Sequence, residues 1–309
     1  MNQLLSALRG AGEATRLRII ALLSKGELTV GELVQILDQS QPRVSRHLKL
    51  MGEAELLNRF QEGTQVFYRL ATDGVAGSLN AALIEILDRD VEIFEADMGS
   101  LAAIRKERAD RAQAYFQENA ADWNRLRSMY VAEEQVEEEL LKQQGDGPVR
   151  SLLDIGTGTG RMLELFAPKA DQALGIDVSR AMLNIARANL DGKDLGDAQV
   201  RLGDMYDLGL DAASQDLILF HQVLHFAEFP ARALAEAGRV LAPGGKILIA
   251  DFAPHAEEFL RDQHAHRRLG FEDDEIERWG RAAGLTLDAL SHLDGGKLRV
   301  TIWNFGKKA

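Results

Sequence analysis

The sequence predicts a multidomain chain: a small α+β N-terminal module, a helical middle, and a C-terminal α/β domain closing on an antiparallel hairpin. Three observations predict it. At roughly 150 residues per domain, 309 residues suggest two domains. Residues 1–74 show short helical periods that end in a strand–turn–strand. From Val149 onward, short apolar runs alternate with helical stretches, the pattern of a parallel sheet. Residues 75–145 read as long helices, and Gly145-Asp146-Gly147-Pro148 is the sharpest punctuation in the chain. Domains are therefore drawn at 1–74, 75–147 and 148–309.

Composition excludes several classes. With 46% hydrophobic and 27% charged residues the chain can build a core, so disorder is not expected. No run approaches the roughly 20 apolar residues of a membrane span, and the N-terminus lacks the pattern of a signal peptide. A cytoplasmic protein is expected, with no membrane partner. There is no cysteine, which removes disulfides, thiolate nucleophiles and sulfur-built metal sites. The net charge of −12 is uneven: residues 1–74 hold nine Lys/Arg against eight Asp/Glu, leaving −13 for the remainder. Any contact with DNA is confined to the N-terminal quarter.

Leu17–Leu23 reads as a buried helix. Thr29-Val30-Gly31-Glu32 fits a capping box that opens a second helix, with Leu33, Ile36 and Leu37 as its core face. That helix stops at Asp38-Gln39-Ser40. A third starts there, with Ser40 placed to cap it and Pro42 in the first turn. Val44, Leu48 and Met51 point inward, which leaves Gln41, Arg43, Ser45, Arg46, His47 and Lys49 outside. This acid-free face suits a recognition helix in a major groove. Leu56–Gln61 and Val66–Leu70 form a wing, with Arg59 and Arg69 placed to meet phosphates.

Residues 5–72 resemble the winged helix-turn-helix of ArsR-type bacterial repressors. The segments that carry the resemblance are EATRLRIIALLSKGELTVGELVQIL, SQPRVSRHLKLMGEAELL and EGTQVFYRLA. It implies a homodimer on palindromic double-stranded operator DNA. Many such repressors release DNA on binding a metal, through cysteines or through Asp/His/Glu clusters on the last dimer helix. Here there is no cysteine, and none of the seven histidines lies between His47 and His221. No metal site is expected, so the signal enters elsewhere.

Leu79, Leu83, Leu87, Val91, Phe94, Met98 and Leu101 make one apolar helical stripe. The resemblance assigns 75–105 to dimerisation; packing on its own domain is the alternative. Tyr115, Phe116, Trp123 and Tyr130 follow. Similar helices in small-molecule methyltransferases cover the cofactor, which makes Tyr115 a lid candidate.

Ser151–Ile155 is a buried strand that runs directly into Gly156-Thr157-Gly158-Thr159-Gly160 and a helix. The dinucleotide pattern GxGxxG needs glycine at 161, where Arg161 stands; the chain instead shows DxGxGxG. A second strand ends at Asp177, 17 residues after Gly160, where ribose hydroxyls need an acceptor. Val200–Met205 ends a third, Gln215–Phe220 forms a fourth, and RVLAPGGKILIADF supplies a fifth. Leu285–Leu293 and Leu298–Phe305 flank a turn as a terminal hairpin.

This order resembles the Rossmann-like fold of class I S-adenosylmethionine-dependent methyltransferases over about residues 110–309. The resemblance implies S-adenosylmethionine or S-adenosylhomocysteine as cofactor, held by Asp154, Gly156, Gly158, Gly160, Asp177, Asp204 and Met205. If the domain transfers a methyl group to a small-molecule acceptor, His221 and His225 are the best-placed bases. Phe220-His221-Gln222-Val223 replaces the (Asn/Asp)-Pro-Pro-(Tyr/Phe) loop of amino methylases, and ring-carbon methylases need cysteine. The usual DNA methylases are thereby excluded. Two readings remain: a transcriptional regulator sensing one of these nucleosides, or an active small-molecule methyltransferase with a DNA-binding module. The two-domain plan resembles S-adenosylhomocysteine-responsive repressors of methionine-cycle genes.

Overall fold

Helical and strand periods segregate along the chain in the computed structural model. It describes residues 1–62, 65–87, 94–119, 133–190, 193, 195, 197–295 and 298–308. They fall into two compact units, Met1–Asp110 and Arg111–Ala309.

The first unit opens with α1 (Asn2–Ala11), α2 (Ala14–Leu23), α3 (Val30–Leu37) and α4 (Gln41–Glu53). A wing follows, made of β2 (Leu57–Glu62) and β3 (Gln65–Leu70); β3 also pairs with the short β1 (Leu28–Thr29). The capping box forms as expected: Glu32 N donates to Thr29 Oγ1 at 3.3 Å, and Thr29 N donates to Glu32 Oε2 at 2.9 Å. Ser40 does occupy the N-cap of α4, but its side chain makes no capping bond, contrary to expectation. Pro42 stands in that first turn, where a missing amide hydrogen costs nothing. Val44, Leu48 and Met51 are buried with Ile19, Ile20, Leu22 and Leu33 in one core.

The expected single stripe lies on two helices, α5 (Gly74–Leu87) and α6 (Glu95–Asn119). Val91 lies outside the described residues. Leu79, Leu83, Leu87, Met98 and the buried Leu101 pack against the core of α2–α4. Two polar fastenings hold these helices. Arg18 donates from Nε and Nη2 to Asp97 at 2.7 and 2.6 Å, and Asn80 donates to the carbonyls of Leu56 and Ala71 at 2.9 and 3.0 Å.

In the second unit α7 (Glu133–Gln144) precedes a seven-stranded sheet of order β6-β5-β4-β7-β8-β10-β9. Strands β4 (Val149–Ile155), β5 (Ala170–Asp177), β6 (Asp197–Leu202), β7 (Gln215–His221) and β8 (Leu241–Phe252) are mutually parallel. The terminal hairpin, β9 (Thr286–Asp294) and β10 (Arg299–Gly306), adds antiparallel to β8. Helices α8 (Arg161–Phe166), α9 (Arg180–Leu190), α10 (Pro230–Val240), α11 (Phe259–His264) and α12 (Asp273–Ala282) fill the connections. Alternation along β4 sends Leu152 into one buried cluster and Leu153 into another, so the sheet has a core on each face. The third parallel strand stops at Leu202 rather than Met205. Asp204 Oδ1 accepts the Tyr206 amide at 2.9 Å, a local turn that competes with strand pairing. Among the described residues no helix is long and apolar enough to cross a membrane.

The capping box yields a stability prediction. Thr29→Ala removes the acceptor for the Glu32 amide and should destabilise the N-terminal unit by about 1 kcal/mol, read from its denaturant midpoint. An unchanged midpoint would mean that the cap contributes nothing.

Candidate functional site

The strand order reverses at β4: β5 and β6 lie to one side, β7 and β8 to the other. Connections leaving in opposite directions open a crevice beyond the carboxyl ends of β4 and β7, where parallel sheets bind ligands. The glycine loop fills its near side. Gly156, Gly158 and Gly160 all adopt positive φ (73°, 53° and 85°), a path closed to ordinary side chains. The amides of Gly156 and Thr157 both donate to the Ile176 carbonyl at 2.9 Å, and Gly158 N donates to Asp177 Oδ2 at 2.9 Å. With these amides taken internally, the loop offers a closely approachable backbone surface rather than a phosphate cradle. A Cβ on Gly156 would overlap Val223, which folds down from the loop after β7. Gln222, just before it, is held at φ 49°, and this strained residue makes the sharp turn.

Asp177 ends β5 half-buried. It accepts from Gly158 and, at 2.8 Å, from Ser179, while burial pushes its carboxyl above the ordinary range against those amides. Asp154 is 1% exposed in β4, in register between Gly175 and Leu219. Asp204 is exposed in the turn after β6, and Met205 packs half-buried on the core beside it. Tyr206 was not anticipated. Its hydroxyl accepts the amides of Glu228 and Phe229 at 2.7 and 3.0 Å, tying this turn to the loop after β7. The helical position of Tyr115 falls in α6, but its side chain, like Trp123 and Tyr130, lies outside the described residues.

His221 and His225 engage different carboxylates. His221 Nε2 stands 3.0 Å from Glu133 Oε1, on the first turn of α7. Four residues along α7, Glu137 takes two 2.6 Å hydrogen bonds from Arg161, the first residue after the glycine loop. His225 Nδ1 stands 2.7 Å from Asp251 Oδ1, and the Asp251 carboxylate also accepts the amides of His225 and Phe252. An ionised carboxylate only accepts, so Nδ1 carries the proton. His225 stacks on His266 at 4.0 Å, and Phe226 lies in edge contact with Phe116 at 4.8 Å. Sequence reasoning missed Glu133, Glu137 and Asp251. A lone acid inside the apolar run Ile247–Phe252 was the available signal for the last.

On the other unit, Gln41, Arg43, Ser45, Arg46 and Lys49 are exposed along α4, and Arg59 is exposed on the wing. His47 departs from the expectation of an outward face. It is half-buried with Nδ1 3.6 Å from Glu13, and burial lowers its pKa. Arg69 is drawn back as well, 3.6 Å from Glu27 and 5.1 Å above the Phe60 ring. The described residues hold no group of three or more His, Asp or Glu arranged to take a metal.

Two family models match. Residues 13–59 match the bacterial regulatory protein, arsR family, and residues 153–249 match the methyltransferase domain. The chain joins an ArsR-family helix-turn-helix to a class I methyltransferase domain. The arsenical resistance operon repressor of Escherichia coli is 52% identical over 60 residues, 19% of this chain and 51% of that protein. An uncharacterized methyltransferase of Mycobacterium bovis is 34% identical over 98 residues, 32% of this chain and 38% of that one. The chain thus spans about half or less of these relatives. The crystal structure of geranyl diphosphate C-methyltransferase from Streptomyces coelicolor covers 57% of this chain and 78% of its own, at 14% identity and a TM-score of 0.51. That likeness concerns the fold alone. The ArsR-family motif implies DNA binding, and the methyltransferase domain implies S-adenosylmethionine binding. The loop fits such a cofactor: Gly156, Gly158 and Gly160 follow a left-handed path without side chains, which leaves their backbone open to close approach.

The half-buried His255 and the buried His266 of the methyltransferase domain make stability depend on pH. Burial and the nearby His225 hold His255 at about 4, below its ordinary 6.5, and push His266 down as well. The unfolded chain therefore takes up these protons first. Their contribution is complete above pH 6.5 and is lost as pH falls toward 4. His255→Asn should shrink the drop in urea midpoint between pH 7 and 5; an undiminished drop would contradict this assignment.

Proposed function

We propose that this protein is a cytoplasmic, homodimeric transcriptional regulator that binds a palindromic operator and senses S-adenosylhomocysteine or S-adenosylmethionine through its methyltransferase domain. Gln41, Arg43, Ser45, Arg46 and Lys49 read the major groove, Arg59 meets a phosphate, and His47 and Arg69 support that surface. Asp154, the glycine loop, Asp177, Asp204 and Met205 hold the nucleoside.

One set of contacts supports this reading. Within the second unit, Phe116 meets Phe226, Glu133 meets His221, and Glu137 grips Arg161 beside the glycine loop. A nucleoside at the glycine loop would act on the helices that carry Phe116, Glu133 and Glu137. The absence of cysteine supports a nucleoside effector over the thiolate-bound metals of related repressors.

A ligand moves an equilibrium only through a difference in affinity between two states. S-adenosylhomocysteine should therefore change operator affinity at least about fivefold, near 1 kcal/mol, and more than S-adenosylmethionine does. Asp177→Ala, losing a charged acceptor worth about 1.5–3 kcal/mol, should abolish the response at the same nucleoside concentration. Fluorescence anisotropy on labelled operator measures both. Operator affinity indifferent to both nucleosides would overturn the proposal.

A further inference from the structure

The order of acidic groups along the sheet edge sets the direction in which a nucleoside must lie. Asp204 follows β6 and Asp177 ends β5; the glycine loop follows β4 and His221 ends β7. These strands are neighbours in that order, so the span from adenine end to β7 is three strand spacings of about 4.8 Å each. An adenosyl amino acid with its base at Asp204 and its ribose at Asp177 extends its sulfur toward β4 and β7. Ile155 pairs with Phe220 across those strands, which brings the next residues, Gly156 and His221, side by side. The carboxylate waiting there is Glu133, held 3.0 Å from His221 with its side chain 13% exposed.

We infer that Glu133 is the residue that distinguishes the sulfonium of S-adenosylmethionine from the thioether of S-adenosylhomocysteine. The inference rests on the nucleoside reading above and adds the atom at which the two ligands are told apart. They differ by one methyl group and one positive charge, and a carboxylate shielded from water responds strongly to such a charge. The sulfonium brings to Glu133 a positive charge that the thioether lacks. Glu133 stands on the first turn of α7, and Glu137 of the same helix grips Arg161. A charge at sulfur is thus read by α7, the same helix that holds the residue following the glycine loop.

Calorimetry on the full-length protein tests this with both nucleosides. Glu133→Gln should weaken S-adenosylmethionine about tenfold and S-adenosylhomocysteine less than twofold. Glu133→Asp, which keeps the charge, should retain most of the wild-type preference and shows that the position tolerates substitution. Glu137→Gln loosens the same helix without touching the sulfur end, so it should weaken both ligands alike. If Glu133→Gln also weakens both alike, Glu133 holds the helix or the amino group common to both ligands, and the inference falls. Unchanged affinities in that variant overturn it equally. If the wild-type protein binds neither nucleoside, the nucleoside reading itself fails, an outcome separate from equal losses in the variant.

Discussion

The reversal of strand order at β4 is the constraint on which the rest of this molecule depends. A parallel sheet that winds both ways from one strand cannot close its carboxyl edge there, so a crevice is unavoidable. The candidate site residues of the second unit are arranged around it. The glycine loop crosses it on a path of left-handed residues, with its amides already bonded to Ile176 and Asp177. Gln222 tolerates a positive φ so that Val223 can fold over Gly156. Backbone strain of about 1–3 kcal/mol at such a position persists only where the surroundings over-determine it.

The helix that precedes the sheet, α7, is part of the core on one of its faces. A passive linker would be polar on all sides, yet Val136 and Leu140 of α7 are buried with Leu152, Met162 and Phe166. Its acidic residues are placed with equal economy: Glu133 on the end of β7 and Glu137 on the start of α8. Removing one partner from a buried pair costs far more than the pair contributes, because a charge is left stranded.

Much of this was legible in the residues alone, and the exceptions have physical causes. Strong periodicity located the helix-turn-helix, and the capping box at Thr29 formed as read because it is local. The glycine loop and the strand ending at Asp177 were legible for the same reason. The single apolar stripe read over 79–101 is carried, among the described residues, by two helices, because heptad-like spacing alone does not locate helix ends. His47 was assigned outward because helix spacing could not show Glu13 reaching it from the N-cap of α2. The partners of His221 and His225 were invisible. Glu133 lies 88 positions before one and Asp251 lies 26 after the other, and only the sheet brings them together.

If the two sites are coupled, thermodynamic linkage makes the coupling readable from either one. Whatever factor a nucleoside applies to operator affinity, the operator must apply to nucleoside affinity. Calorimetric titration of S-adenosylhomocysteine into the full-length protein, alone and saturated with its operator, measures that factor without any variant. The dissociation constants should differ by at least about fivefold between the two titrations. Equal constants, with both ligands bound at once, would contradict the coupling and leave two modules that share a chain without sharing a signal.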